Sequence, residues 1–209
     1  MQYENAEAPA NEVVTNYVTL SGVVTEVCTG HDDTYDIILS VNRLSGMQDK
    51  IPVILTPEHQ NTTFNIGQPV TVKGMFTSFN KIIGDRSKLI LTVHASEVYP
   101  AIDADFDNPN SIDLEGYICK TPIYRTTPFN REIADLLLAV NRSFNKSDYI
   151  PAIAWGKNAR FAKNLLVGEK VHINGRVQSR EYQKRLDDDT VEVRTAYEVS
   201  INAISRVDY

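Results

Sequence analysis

The chain has 209 residues, of which 42% are hydrophobic and 23% charged, and its formal net charge is −6. This composition is typical of a soluble globular protein of one or two domains, and it excludes a disordered chain and a collagen-like repeat. The longest apolar runs, such as residues 136–140, fall far short of the roughly 18 residues that a membrane helix needs.

The beginning of the chain and its two cysteines indicate a cellular compartment. Residues 1–12 are polar and acidic without an apolar stretch, so no signal peptide is expected. Cys28 and Cys119 cannot form a disulfide framework, and both lie in apolar segments, so they are expected to be reduced and buried. These features predict a cytoplasmic protein that does not contact a membrane.

In the first half of the chain, the sequence predicts a flexible tail at residues 1–15 and a mostly β unit at residues 16–99. Between its third and fourth strands, Thr56 is a helix N-cap, Pro57 takes the first helical position and Gly67 lies beyond the helix end. Residues 100–110 then form a linker, because prolines and aspartates replace the apolar periodicity there.

The second unit, residues 111–209, follows the same plan. Its predicted strands are Ser111–Lys120, Ile133–Asn141, Tyr149–Trp155, the alternating segment around Val171–Val177, and Val193–Ile204. A short helix with Ala159, Ala162 and Leu166 on one face ends near Gly168. Five strands with one helix between the third and fourth are the element order of an OB-fold, a small Greek-key barrel. The predicted fold class is therefore all-β, with two tandem OB-folds and one short helix in each.

An internal repeat supports this division. Four segments recur in the same order, with offsets of 94, 99, 99 and 101 residues. The pairs are Leu20–Gly22 with Leu114–Gly116, Asp36–Arg43 with Asp135–Arg142, Ile51–Ile54 with Ile150–Ile153, and Gly67–Gly74 with Gly168–Gly175. Four matches in register indicate a duplicated domain whose copies differ in loop length.

Charge separates the two halves. Residues 1–109 hold 6 basic and 14 acidic residues, a net charge of −8, whereas residues 110–209 hold 15 and 13, a net charge of +2. This asymmetry predicts a division of labour in which the second half meets any polyanion.

The sequence shows no catalytic or metal-binding pattern. The four histidines have no Cys or His neighbour at metal-ligand spacing, and neither a GxGxxG nor a P-loop motif occurs. Asp103, Asp105 and Asp107 imitate a calcium loop, but Asn108 replaces its glycine and Leu114 its glutamate. The chain is therefore predicted to have no enzymatic activity, no metal and no cofactor.

Basic and aromatic residues alternate in the second half. Along the fourth strand, residues 172, 174, 176, 178, 180 and 182 are polar or aromatic and are predicted to share one face. Tyr149 and Trp155 are predicted to share a face of the third strand. Such a surface suits a single-stranded nucleic acid, whose bases stack on aromatic rings while cations follow its backbone.

Residues 110–205 resemble the bacterial single-stranded DNA-binding proteins with an OB-fold. The similarity rests on Leu114-x-Gly116, Ile133–Ala139, Ala154–Ala159, Leu166–Gly168, Gly175-Arg176, Arg180-x-Tyr182 and Tyr197–Val199. It implies base stacking on Phe144, Tyr149, Trp155 and Tyr182. It also implies phosphate contacts by Arg131, Lys157, Arg176 and Arg180, with Arg125, Arg142 and Lys184 as further basic candidates.

The resemblance implies sequence-tolerant binding of single-stranded DNA in replication, recombination or repair. Four OB units usually act together in that family, so a homodimer is expected, and replication or repair proteins are candidate partners. The printed sequence ends without that family's Gly/Pro/Gln-rich tail, so recruitment through such a tail is not expected. Two alternatives stay open: a protein-docking subunit of a replication or conjugation assembly, and an RNA-binding OB protein.

The first unit lacks the stacking residues. The repeat offsets place Ser45, Lys50, Thr56 and Lys81 where the second unit has its four aromatics. Phe79 could offer another platform, whereas Phe76 is in phase with the apolar residues of its strand and is expected to face the barrel. The acidic first unit is therefore predicted to be a scaffold for dimerisation or partner contact.

Overall fold

A computed structural model describes residues 16–28, 35–59, 63–83, 86–142, 146–185 and 191–207. The predicted tail at residues 1–15 lies outside this range. The strands are β1 Asn16–Val27, β2 Ile37–Asn42, β3 Gln48–Leu55, β4 Pro69–Ile83, β5 Arg86–Pro100, β6 Asn110–Ile118, β7 Ile123–Thr126, β8 Glu132–Arg142, β9 Lys146–Trp155, β10 Lys170–Arg185 and β11 Val191–Arg206. A 3-10 helix spans Asp103–Phe106, and helix α1 spans Lys157–Ala162.

Each unit closes into a five-stranded barrel. In the first, β1 pairs with β2 and β4, β2 with β3, and β4 with β5, all antiparallel, and the parallel pair β3–β5 completes the ring. In the second, β6, β8, β9, β10 and β11 repeat this order, with β9–β11 as the parallel pair. The all-β prediction of two tandem OB-folds is confirmed.

Alternating side chains fill the two barrels. In β6, Ile112, Leu114 and Ile118 point inward and are buried, while Asp113 between them is exposed. Phe76 is fully buried in the first barrel, as its phase predicts. Gly74 is required where β4 passes β5, because a Cβ there would lie 1.9 Å from the His94 carbonyl oxygen.

The structure contradicts one local prediction and adds one strand that was not predicted. Where a helix was predicted in the first unit, the described residues form a turn in which the His59 N–H donates to the Thr56 carbonyl at 2.9 Å; residues 60–62 lie outside the described range. Among the described residues 63–67, Phe64 alone is buried, whereas α1 buries Ala159 and Ala162. The sequence of residues 58–63 is polar throughout and offers no apolar residues for a buried helix face. The second unit also has an unpredicted strand, β7, which pairs with β8 as a hairpin.

The two units share one continuous sheet, because β1 pairs directly with β6 in antiparallel register. Asn16 lies opposite Leu114, and Leu20 lies opposite Asn110. Asn16 and Asn110 are equivalent in the repeat, as are Leu20 and Leu114, so this register places the units about a local two-fold axis.

Two buried aspartates join the units on either side of this axis. At the Asp49 junction, the Asp49 carboxylate accepts two hydrogen bonds from Arg43, at 2.6 and 2.7 Å, and one at 2.7 Å from the backbone N–H of Ser179 in the second unit. The N–H of Lys50 donates to Ser179 Oγ at 3.1 Å. The carboxylate is fully buried, so these bonds take the place of its hydration.

The Asp148 junction is its symmetry-related counterpart. Asp148 accepts a hydrogen bond of 2.6 Å from the N–H of Ser78 in the first unit and lies 3.1 Å from Arg142 Nε. The N–H of Tyr149 donates to Ser78 Oγ at 2.7 Å. Burial raises the pKa of Asp148, against the lowering effect of the Ser78 N–H and of Arg142. Asp148 Oδ2 has no hydrogen-bond partner, whereas both oxygens of Asp49 accept hydrogen bonds, so the carboxylate is less completely compensated here than at the Asp49 junction.

Candidate nucleic-acid interface

A groove of about 1360 Å³ runs along the boundary between the two units, and we call it the boundary groove. Both units line it. Its first-unit residues include Glu26, Tyr35, Arg43, Gln48 and Lys50, and its second-unit residues include Arg131, Trp155, Arg176, Arg180, Glu181 and Glu198. Five basic and three acidic side chains thus surround one exposed indole, an arrangement suited to a polyanion that carries aromatic bases.

Trp155 is the last residue of β9, and 39% of its surface is exposed. Gly156 follows with φ of 51°, a left-handed conformation that turns the chain from β9 into α1. The Gly156 N–H donates to the Glu132 carbonyl at 2.9 Å, and Trp155 lies opposite Ile133 in β8. Strand pairing on one side and the turn on the other fix the indole in the wall of the groove.

Arg131 reaches the same wall from the β7–β8 turn. Its N–H donates to Thr127 Oγ1 at 3.1 Å, and its carbonyl accepts from the Thr127 N–H at 2.9 Å. These bonds hold the turn in one conformation. The exposed Arg131 therefore lies two residues before Ile133, which pairs with Trp155. Phe129, at the tip of this turn, is 88% exposed.

Strand β10 also lines the groove, through residues 176 and 178–181. The Arg180 guanidinium lies 5.9 Å from the centre of the Tyr182 ring, and 37% of Tyr182 is exposed. A cation held over an exposed ring offers a stacking face and a phosphate contact together. Contrary to the predicted polar face, Gln178 of the same strand is buried, because its amide donates to Glu198 at 2.7 Å.

Tyr149 is 47% exposed, but it does not line the boundary groove. It stands beside Ser78 at the Asp148 junction, whereas Trp155 lies six residues further along β9. Six residues of strand span about 20 Å. Although the two rings share a strand face by alternation, the structure places them at separate positions along the sheet.

The remaining sequence candidates have different surroundings. Phe144 lies outside the described residues. Arg142 is paired with buried Asp148, and Arg125 lies 2.8 Å from Asp135 on the surface. Lys157 is exposed at the first position of α1, and none of the described candidates Arg125, Lys157 and Lys184 lines the boundary groove.

Arg43, Lys50 and Tyr35 of the first unit were missed as groove residues. The repeat offset identifies Arg43 as the counterpart of Arg142, but no sequence signal shows that the groove crosses between units. That position depends on the pairing of β1 with β6, which brings Lys50 next to Ser179.

Within the described ranges, no group of three or more His, Cys, Asp or Glu side chains is placed to hold a metal ion. In the same ranges, none of the helices has the length and hydrophobicity to span a membrane.

Comparison with known sequences agrees with this geometry. Residues 109–207 match the model of the Single-strand binding protein family. The second half of the chain is therefore similar to this family. Among curated relatives, single-stranded DNA-binding protein 2 of Listeria innocua is 36% identical over 81 residues, which are 35% of this chain and 51% of that protein. The single-stranded DNA-binding protein of Clostridium tetani is 34% identical over 83 residues, 36% of this chain and 57% of that one. The chain thus spans about half the length of these relatives.

A solved structure shows similarity in fold over both units. The wild-type single-stranded DNA binding protein of Thermus aquaticus superimposes with a TM-score of 0.68 at 20% identity. The match covers 93% of each chain. Since it spans the acidic unit as well as the family-matched one, the tandem OB-fold arrangement is shared by the two proteins.

Proposed function

We propose that this protein binds single-stranded DNA with little base preference, in replication, recombination or repair, and does so without catalysis. The observation that carries the proposal is the exposed Trp155 in a groove with Arg131, Arg176 and Arg180. The Single-strand binding protein family model matches the half of the chain that holds these residues, and relatives named single-stranded DNA-binding proteins are similar to part of the chain.

The proposed mechanism combines stacking with charge neutralisation. Trp155 and Tyr182 provide base-stacking surfaces beside the groove, Tyr149 provides one at the Asp148 junction, and Phe144 remains a candidate by resemblance. Stacking contributes about 1–3 kcal/mol per base with little sequence preference, because every base has a π-face. Arg131 and Arg180 contact phosphates in the boundary groove, and Lys157 and Lys184 contact phosphates of the strand outside it. Arg142 and Arg125 are weaker candidates, because each is held by an aspartate.

Binding of three labelled nucleic acids tests the proposal. We expect the full chain to bind a dT oligomer more tightly than an RNA of the same length, and not to retain a duplex without single-stranded ends. Affinity should fall as salt is raised, because phosphate contacts release counterions. A clear preference for RNA would favour the RNA-binding alternative. Failure to bind any of the three would contradict the function and favour protein docking.

We also propose a cytoplasmic homodimer, in which two chains bring together four OB units. This rests on the resemblance and on the duplicated fold of each chain. Light scattering should give about 47 kDa, twice the 23.5 kDa chain, at micromolar concentration. A strict monomer that binds dT oligomers would contradict the dimer without affecting the binding proposal. Replication or repair enzymes as docking partners remain a prediction.

A further inference from the structure

The Asp49 junction holds more positive charge than its own carboxylate can compensate. Asp49 is fully engaged by Arg43 and by the Ser179 N–H. Arg176 of the second unit lies near Arg43, and its buried Nε has no hydrogen-bond partner. Its terminal nitrogen bonds only the neutral Gln178, at 3.1 Å. Two guanidinium groups from different units thus share one carboxylate.

Lys50 adds a third cation to this part of the boundary groove. Its backbone is fixed twice, by pairing with Ser40 in β2 and by donation of its N–H to Ser179 Oγ at 3.1 Å. Lys50 is exposed, and it lines the same groove as Trp155 and Arg176. A long, solvated ammonium on a fixed backbone can reach an anion at little cost.

The local symmetry makes Lys50 distinctive. Its counterpart across the axis is Tyr149, which also donates its N–H to a serine hydroxyl of the other unit. One junction therefore presents an ammonium group where the other presents an aromatic ring. Lys50 and Trp155 line the same groove, so a strand that stacks on Trp155 and follows the groove towards the first unit would meet the ammonium group.

The groove holds three carboxylates, Glu26, Glu181 and Glu198, against five basic side chains, so positive charge remains in excess. Glu198 accepts a hydrogen bond from Gln178, lies 3.9 Å from Arg180 and also helps to raise the pKa of Arg43, so its one negative charge already faces two arginines. Glu26 accepts a hydrogen bond from the Tyr35 hydroxyl at 3.2 Å. Neither of these described contacts involves Lys50 or Arg176.

We propose that a phosphate of the bound strand crosses the unit boundary at Lys50 and Arg176, so that the acidic first unit supplies part of the binding site. This inference rests on the proposed function. It assigns Lys50 a direct phosphate contact and replaces the sequence-based prediction that the first unit is only a scaffold. The strand then leaves Trp155 towards the first unit instead of staying on the second barrel.

Salt-dependent titration of dT oligomer against Lys50→Ala tests this path. We expect a several-fold loss of affinity at low salt, and a slope of log K against log salt that is flatter by about 0.7, the single-strand value for one lost contact. Lys73→Ala is the matched control: it removes the same charge from the same unit, but Lys73 pairs with Glu97 and does not line the groove. The control should keep the wild-type affinity and slope.

The outcomes separate the two proposals. If the wild-type protein binds no dT oligomer, the proposed function fails. If the wild type binds and Trp155→Ala weakens binding, but Lys50→Ala behaves as Lys73→Ala does, the boundary crossing alone is overturned. Because the Lys50 side chain is exposed, urea unfolding of Lys50→Ala should match that of the wild type, which excludes loss of fold as the cause of weaker binding.

Discussion

Asp49→Ala is expected to lower the free energy of unfolding by about 3–5 kcal/mol, the usual cost of removing one partner from a buried ion pair. Three hydrogen bonds within 2.7 Å converge on this fully buried carboxylate. Without it, Arg43 would remain mostly buried beside Arg176 with only the weaker influence of Glu198 as a counter-charge, and the Ser179 N–H would lose its acceptor. Urea denaturation followed by circular dichroism measures the change.

Two further variants calibrate this result. Asp148→Ala removes the symmetry-related carboxylate and is expected to cost less than Asp49→Ala, because burial of Asp148 is less completely compensated. Asp113→Ala removes an exposed aspartate that lies 2.9 Å from His172 and should change stability by less than about 1 kcal/mol. A loss at Asp49 no larger than that at Asp113 would show that the junction does not hold the units together.

Trp155→Ala is expected to weaken binding of dT oligomer by about 1–3 kcal/mol, or about 5- to 150-fold, because one base loses its stacking surface. The slope of log K against log salt should stay nearly constant, since stacking releases no counterions. Trp155→Phe should recover part of the affinity, because it keeps an aromatic face. Trp155 is the only tryptophan, so quenching of its fluorescence by dT oligomer reports the same contact in the wild type.

A structural role of Trp155 would give a different result from a role in DNA binding. If the indole served mainly to pack the barrel, Trp155→Ala would lower the free energy of unfolding by about 3–5 kcal/mol, as large-to-small core substitutions do. Its 39% exposure argues for a smaller loss. Unchanged fluorescence under conditions where dT oligomer binds would remove Trp155 from the site.

The fold could be predicted from the sequence because the internal repeat shows the same order of strands in both halves of the chain. Both copies carry the same strand order, and alternation in β6 and β10 determined which apolar residues face each barrel. The prediction of a first-unit helix was wrong because Thr56, Pro57 and Gly67 are helix-end signals, whereas residues 58–63 between them are all polar and supply no apolar side chains to bury. End signals show where a helix could begin and stop, whereas packing decides whether it forms.

The site was predictable only in part. Trp155 and Tyr182 could be placed because their strand positions follow from the repeat and the resemblance. Gln178 was placed on the solvent face by alternation alone, yet Glu198 on the neighbouring strand draws it into a buried hydrogen bond. The role of Lys50 at the groove depends on how two barrels meet, and neither periodicity nor composition within one barrel contains that information.

The pairing of β1 with β6 gives the chain a property that a dimer of single-barrel proteins lacks. In a pair of identical chains every substitution appears on both sides of the axis, so both grooves change together. Here each barrel is encoded separately, and tethering within one chain keeps them associated at any dilution. One barrel can therefore carry an ammonium group where the other carries an aromatic ring, as Lys50 and Tyr149 do at equivalent positions of the repeat. A strand lying across such a pair would meet two unlike ends, and it would have a preferred polarity.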